Sequence, residues 1–234
     1  MKTTLTFLFW LACISLQAAV ILPSPVGEFL FDGKHPYVGG AVVTNVTVRG
    51  KALYLNGKYS TDYWGDDKQH TGYTAVFRPL NLSYEKFTVA VKLHPENISG
   101  GKTTLLVGGA SARWLVLNVV ETNRLELSLN NHQFRHAVDG VTITNGAWIT
   151  LAISFDLENR KVFVYAHGIR AEEIQLPADF TLDIITDEKF KESDKVWTFT
   201  NYSDAGTFQG LIGGLLSFNG ILSDDEIKQL LSDK

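Results

Sequence analysis

The densest set of chemically capable side chains lies between residues 56 and 73, in the run NGKYSTDYWGDDKQHTGY. It holds Tyr59, Asp62, Tyr63, Trp64, Asp66, Asp67, His70 and Tyr73. Sugar recognition needs an aromatic face for the apolar C–H side of a ring, and carboxylates or amides for its hydroxyls. This segment supplies both. Asp62, Asp66 and Asp67 also offer closely spaced oxygens to a calcium ion, which takes roughly six to eight. Connections longer than about 12–15 residues without structure of their own are more often functional than accidental. The opposing reading folds Trp64 and the tyrosines inward as a plug over one end of the fold, with the acids in water.

Other aromatics carry less information. Trp114, in RWLVLNV, falls on the face opposite Leu115 and Leu117, where it could meet a ligand beside Arg113 and Asn118. Trp148, ahead of the strand-like ITLAISF, reads as core or core rim. Trp197 and Tyr202 flank the closing loops as rim candidates, and NHQFRH (131–136) either edges a site or forms an exposed hairpin.

Catalytic constellations are missing. Glycoside hydrolysis needs two carboxylates across the scissile bond. The nearest pair, Glu121 and Glu126 in ETNRLE, falls on opposite faces of a strand. The bland reading of ETNRLE is a turn followed by a solvent-facing Glu126. Neither Gly-x-Ser-x-Gly nor His-Glu-x-x-His occurs, so no catalytic residue is assigned.

These side chains sit on a chain of 234 residues, 45% hydrophobic and 20% charged, which reads as globular. Twenty-five acids against 21 bases give a net charge of −4, which argues against a nucleic-acid partner. Residues 1–19 have the form of a secretory signal: Lys2, an apolar run from Leu5 to Leu16, then Ala18 and Ala19. The apolar run is short of the ~20 residues needed to span a bilayer. The expectation is a secreted or extracytoplasmic protein with no membrane span. Loss of the signal removes the one cysteine and leaves 20 bases against 25 acids, a net charge of −5. Sequons stand at Asn45, Asn81, Asn97 and Asn201, and chance in a chain rich in Asn, Ser and Thr is favoured over glycosylation as their origin.

Residues 20–234 read as one domain of strands. In KFTVAVKL, Phe87, Val89, Val91 and Leu93 share one face, and Thr88, Ala90 and Lys92 the other. RLELSL repeats the pattern, and AWITLAISF groups Ile149, Leu151, Ile153 and Phe155. A DLENR turn then predicts a hairpin with KVFVYAH. At the C-terminus, Ser223 and Glu226 form a capping box, followed by Ile227, Leu230 and Leu231 at helical spacing. The expectation is an all-β, two-sheet antiparallel sandwich with one short C-terminal helix.

Several strings in order resemble the concanavalin A-like lectin/glucanase superfamily, and within it laminin G-like jelly-roll domains. They are GEFLFDG (27–33), GKALYLNGKYS (50–60), FTVAVKLHP (87–95), GAWITLAISFDLENRKVFVYAHGIR (146–170) and FQGLIGGLLSFNGILSDDEIKQLL (208–231). The resemblance implies a jelly roll and a secreted, non-catalytic carbohydrate-binding domain whose partner is a glycan or polysaccharide. An extracellular protein-interaction or adhesion module is the alternative, and a glycoside hydrolase with an unrecognised site a third. Calcium is the cofactor the resemblance implies. The family's opening-strand Asp matches Asp32, whereas its closing-strand acidic pair falls on Gly213 and Gly214, which puts the shared metal site in doubt. The acidic Glu-x-Asp-x-x-Glu string of the superfamily's glucanases has no counterpart here, nor do the Gln-x-His and Tyr-Lys-x-Gly runs of its alginate-lyase-like members.

Overall fold

Apolar and polar residues alternate along most of the chain, and a strand resolves that alternation into one buried and one outward face. A computed structural model describes residues 20–31, 40–44, 47–56, 74–79, 81–98, 102–109, 113–186, 195–199 and 208–232. The first strands are β1 (Gly27–Leu30), β2 (Gly40–Thr44), β3 (Thr47–Arg49), β4 (Ala52–Asn56) and β5 (Thr74–Arg78). Next come β6 (Lys86–Pro95), β7 (Thr103–Gly108), β8 (Leu115–Val120), β9 (Arg124–Leu129) and β10 (Phe134–Thr142). The chain continues through β11 (Ile149–Asp156), β12 (Lys161–Ala166), β13 (Ile169–Gln175), β14 (Trp197–Thr198) and β15 (Gln209–Asn219).

They form a two-sheet antiparallel β-sandwich. Sheet A has the order β13-β12-β11-β6-β15-β4-β3, with β1 also pairing β15. Sheet B has the order β10-β9-β8-β7-β14-β5-β2. The expected hairpin is present, with Leu151 opposite Ala166 and Asp156 opposite Lys161. Phe87 and Phe155 pair across β6 and β11 and stack with centroids 4.6 Å apart. Val89, Val91, Leu93, Leu151 and Ile153 join the core from sheet A, and Leu115, Leu117, Leu125 and Leu127 from sheet B. Burying each such side chain stabilises the fold by about 1.5–3 kcal/mol.

Two polar ties join the sheets. The indole N–H of Trp197 in β14 donates to Ser217 Oγ in β15 at 2.9 Å, with both residues fully buried. At one edge, His136 Nε2 lies 2.7 Å from Glu172 Oε1, and the Asp139 amide donates to Glu172 Oε2 at 2.8 Å.

The C-terminal helix is α2 (Asp224–Ser232), preceded in the chain by a one-turn helix α1 (Asp183–Thr186) that the sequence reading does not anticipate. Asn130 holds α1 in place, accepting from the Asp183 amide at 2.9 Å and donating to Thr181 O at 2.7 Å. The capping box of α2 forms as expected, with the Ser223 amide donating to Glu226 Oε2 at 2.7 Å. Ile227 and Leu230 then pack on Ala90, Ala152, Leu216 and Phe218, covering part of the outer face of sheet A. No described helix is long and apolar enough to cross a membrane.

Candidate functional site

Where α2 stops covering sheet A, a cavity of about 630 Å³ opens on the outer face. Its floor is made of small residues, Ala52 of β4, Ala90 of β6, and Gly213 and Gly214 of β15. Leu30 of β1 and Leu230 and Leu231 of α2 wall it, and Trp148 stands at its rim, 41% exposed.

A register shift in β15 creates this floor. Ile212 pairs with Leu93 and Gly214 with Lys92, so Gly213 is the extra residue of a β-bulge. A Cβ on Gly213 would stand 3.0 Å from Trp148 Cζ3 and 3.1 Å from the Lys92 stem. One on Gly214 would stand 2.8 Å from Leu30 Cδ2. Side chains at these two positions would therefore push Trp148 and Leu30 aside. Gly213 and Gly214 thus offer no side-chain oxygens and no room for them, while Asp32, the other residue that the family resemblance implies for calcium, lies outside the described residues. Among the described residues, no three His, Cys, Asp or Glu side chains gather as a metal set.

Polar groups lie in this cavity and against its rim residue Trp148. Thr150 is 7% exposed, and its buried Oγ1 has no hydrogen-bond partner among the described residues. Lys92, opposite Thr150 across β6 and β11, places Nζ 5.2 Å from the Trp148 ring centroid. The His94 ring lies 5.2 Å from that of Trp148, and its buried Nδ1 also lacks a partner among the described residues. Arg49 and Lys51 complete the lining.

The outer face of sheet B is organised differently. Thr104 Oγ1 donates to Asn118 Oδ1 at 3.0 Å, and Asn118 Nδ2 donates to Glu126 Oε1 at 3.2 Å. Glu126 also pairs with Lys102 at 3.2 Å, so it is a tied member of a network and not a freely solvated carboxylate. Ser128 Oγ lies 2.5 Å from His132 Nδ1. Burial, then the nearby Lys102, Arg135 and Arg113, hold the His132 pKa below its usual value. Glu121 lies in a separate short 3-10 turn, Glu121–Asn123.

Trp114 needs a correction. It is 0% exposed, and its ring packs against Tyr84, Phe87 and Trp197 at 5.2, 5.9 and 5.0 Å. The reason is local: residue 114 precedes β8, so strand alternation does not direct its side chain. Its ring lies over Gly108, where a Cβ would come within 2.6 Å of it. Trp197 is likewise core and not rim. Tyr59, Asp62, Tyr63, Trp64, Asp66, Asp67 and His70 lie outside the described residues, as do Asp32 and Tyr202. The segment carrying the first seven links β4 in sheet A to β5 in sheet B and leaves β4 at Asn56, the end away from the cavity-lining Ala52.

Trp148, which the sequence reads as core or core rim, is 41% exposed. It shares parity with the outward Thr150 and Ala152, not with the inward Ile149 and Leu151, and that signal was available.

No family model and no curated protein matches the chain. Solved structures do. Domain 4 of AbnA, a GH43 extracellular arabinanase from Geobacillus stearothermophilus in complex with arabinotriose, matches with 19% identity and a TM-score of 0.62, covering 89% of this chain and 98% of that one. The binding domain of botulinum neurotoxin DC in complex with SialylT matches with 13% identity and a TM-score of 0.64, covering 89% and 51%. Trypanosoma rangeli sialidase in complex with 2,3-difluorosialic acid matches with 16% identity and a TM-score of 0.63, covering 95% and 35%. The chain thus spans nearly all of the first, about half of the second and about a third of the third. What it shares with them is the two-sheet β-sandwich fold.

Proposed function

We propose that the chain is an exported, non-catalytic carbohydrate-binding module of the concanavalin A-like, laminin G-like jelly-roll type. Its binding site is the groove on the outer face of sheet A. The observation that carries this reading is Trp148, 41% exposed at the rim of a cavity that also holds the buried, unpartnered Thr150 hydroxyl. An exposed indole suits the apolar face of a sugar ring, and an orphaned buried hydroxyl suits one of the ring's own hydroxyls. The cavity volume falls within the range of about 300–1,000 Å³ common to small-ligand sites. The neighbours crystallised with arabinotriose and with a sialic-acid derivative are in keeping with a sugar ligand.

The segment from Tyr59 to His70 is proposed as a second contact region on its composition alone, with Asp62, Asp66 and Asp67 as candidate calcium ligands there. A glycan array followed by calorimetry, with and without calcium, tests the whole reading. Trp148→Ala should weaken binding about tenfold, about 1.4 kcal/mol, with the circular dichroism spectrum retained. Trp64→Ala separates the loop from the groove. If the folded protein binds no glycan in either condition, the sugar-binding reading is wrong and a protein partner becomes the next one to test.

A further inference from the structure

Resting on the sugar-binding reading, we infer that the groove selects sugars bearing a carboxylate over neutral ones. The chain has more acids than bases, 25 against 21. Among the described residues that line the groove the balance reverses: Arg49, Lys51 and Lys92 are present, and none is acidic.

The three cations are fixed by the fold in different ways. Arg49 ends β3 and pairs with Ala52, so Gly50 and Lys51 form a two-residue hairpin turn, with Gly50 at φ 63°. The Arg49 guanidinium lies 3.4 Å from the centroid of the Tyr54 ring, which holds its stem against β4. Among the described residues Arg49 pairs with the Glu96 carboxylate at 3.9 Å, and the two side chains are 51% and 30% exposed. A pair so open to water neutralises little of the arginine's charge. Lys92 projects from the middle of sheet A, between Gly214 on β15 and Thr150 on β11.

Hydrogen-bond chemistry points the same way as charge. Neutral sugars present hydroxyls that both donate and accept, and sites for them combine carboxylates and amides. Lysine and arginine only donate. Apart from Thr150, the described polar side chains lining this groove are of the donor-only kind, and a carboxylate is their complementary group. A ring resting on Trp148 lies beside Lys92, with Arg49 and Lys51 in the same lining.

Matched ligands on the full chain test this. Trigalacturonate is compared with its methyl ester, and 3′-sialyllactose with lactose, by calorimetry. The acid of at least one pair should bind about tenfold more tightly than its neutral partner. Raising salt from about 0.1 M to about 1 M should reduce that preference. The two pairs distinguish a uronate from a sialoside, and success of either supports the inference. Arg49→Gln and Lys92→Met, each checked for an unchanged melting temperature, should bring the acid's affinity towards that of its neutral partner. Equal binding of acid and neutral forms would overturn the charge preference and leave the sugar-binding reading standing. No binding by any of the four to the folded protein, alongside a silent glycan array, would overturn both.

Discussion

Both outer faces of the sandwich satisfy buried polar groups, Thr88 with Ser154 on sheet A and Thr104 with Asn118 on sheet B, and they part company around Trp148. On sheet B, the buried Thr104, Asn118 and Ser128 all have partners, and the network extends to Glu126, Lys102 and His132. On sheet A, near the exposed Trp148, Thr150 Oγ1 and His94 Nδ1 are buried without partners among the described residues. A satisfied network contributes rigidity, whereas an unsatisfied buried group costs stability unless something supplies its missing bond. Thr103 Oγ1 in β7 of sheet B is likewise buried without a partner among the described residues and does not line the groove, so an unpaired polar group locates a site only where it also meets a cavity.

Substitutions can break this contrast. The largest effect is expected at Trp114, where Trp114→Ala should destabilise the fold by about 3–5 kcal/mol in a denaturant titration. An unmoved midpoint would return that ring to the surface of sheet B. Asn118→Ala strips partners from Thr104 and Glu126 and should cost about 1–3 kcal/mol, leaving glycan affinity unchanged. Thr150→Val should act with the opposite sign: it removes an orphaned hydroxyl, so stability should hold or rise by up to about 1 kcal/mol while affinity falls severalfold. A destabilised Thr150→Val variant would mean that the hydroxyl is satisfied within the fold.

The smallest effect concerns the anchor of α2. Tyr165 OH donates to Asp224 Oδ1 at 2.9 Å, and Arg170 Nε donates to the same oxygen at 3.1 Å. The hydrogen bond from Arg170 holds the Asp224 carboxyl below its usual range. Its stabilisation is therefore present above the unfolded value and lost as pH falls through the lower folded one. Burial, then the bond to Asp224, pushes the Tyr165 pKa up to about 12. That contribution is complete below the unfolded value of about 10 and is lost as pH rises towards the folded one. Melting temperature against pH should decline at both extremes, and Asp224→Asn should flatten the acid limb.

Much of the framework was legible because strand alternation is local. Phe87 to Leu93 and Ile149 to Phe155 announce their faces in consecutive residues, and Ser223 and Glu226 announce a helix start. The groove was not legible, because Leu30, Arg49, Lys92, Trp148, Gly213 and Leu230 come together only through sheet pairing. Gly213 and Gly214 read in sequence as lost metal ligands. Their role in making room for Trp148 and Leu30 depends on a register shift against β6. Trp114 and Trp148 were harder to place, for different reasons. The first lies outside strand periodicity, and the second obeys it although it stands one residue ahead of β11 and the sequence reads it as core or core rim.

Strand β15 has a consequence for how the molecule is built. It pairs with β6 along one edge, and with β4 and then β1 along the other. Those partners occupy residues 27–95, whereas β15 itself spans Gln209–Asn219. During synthesis, the edges that β15 will join therefore wait unpaired until more than a hundred further residues have been made. Assembly of sheet A is a late and non-local step, of the kind associated with slow folding. Until it occurs, the edges of β6, β4 and β1 that face β15 stay open to mispairing.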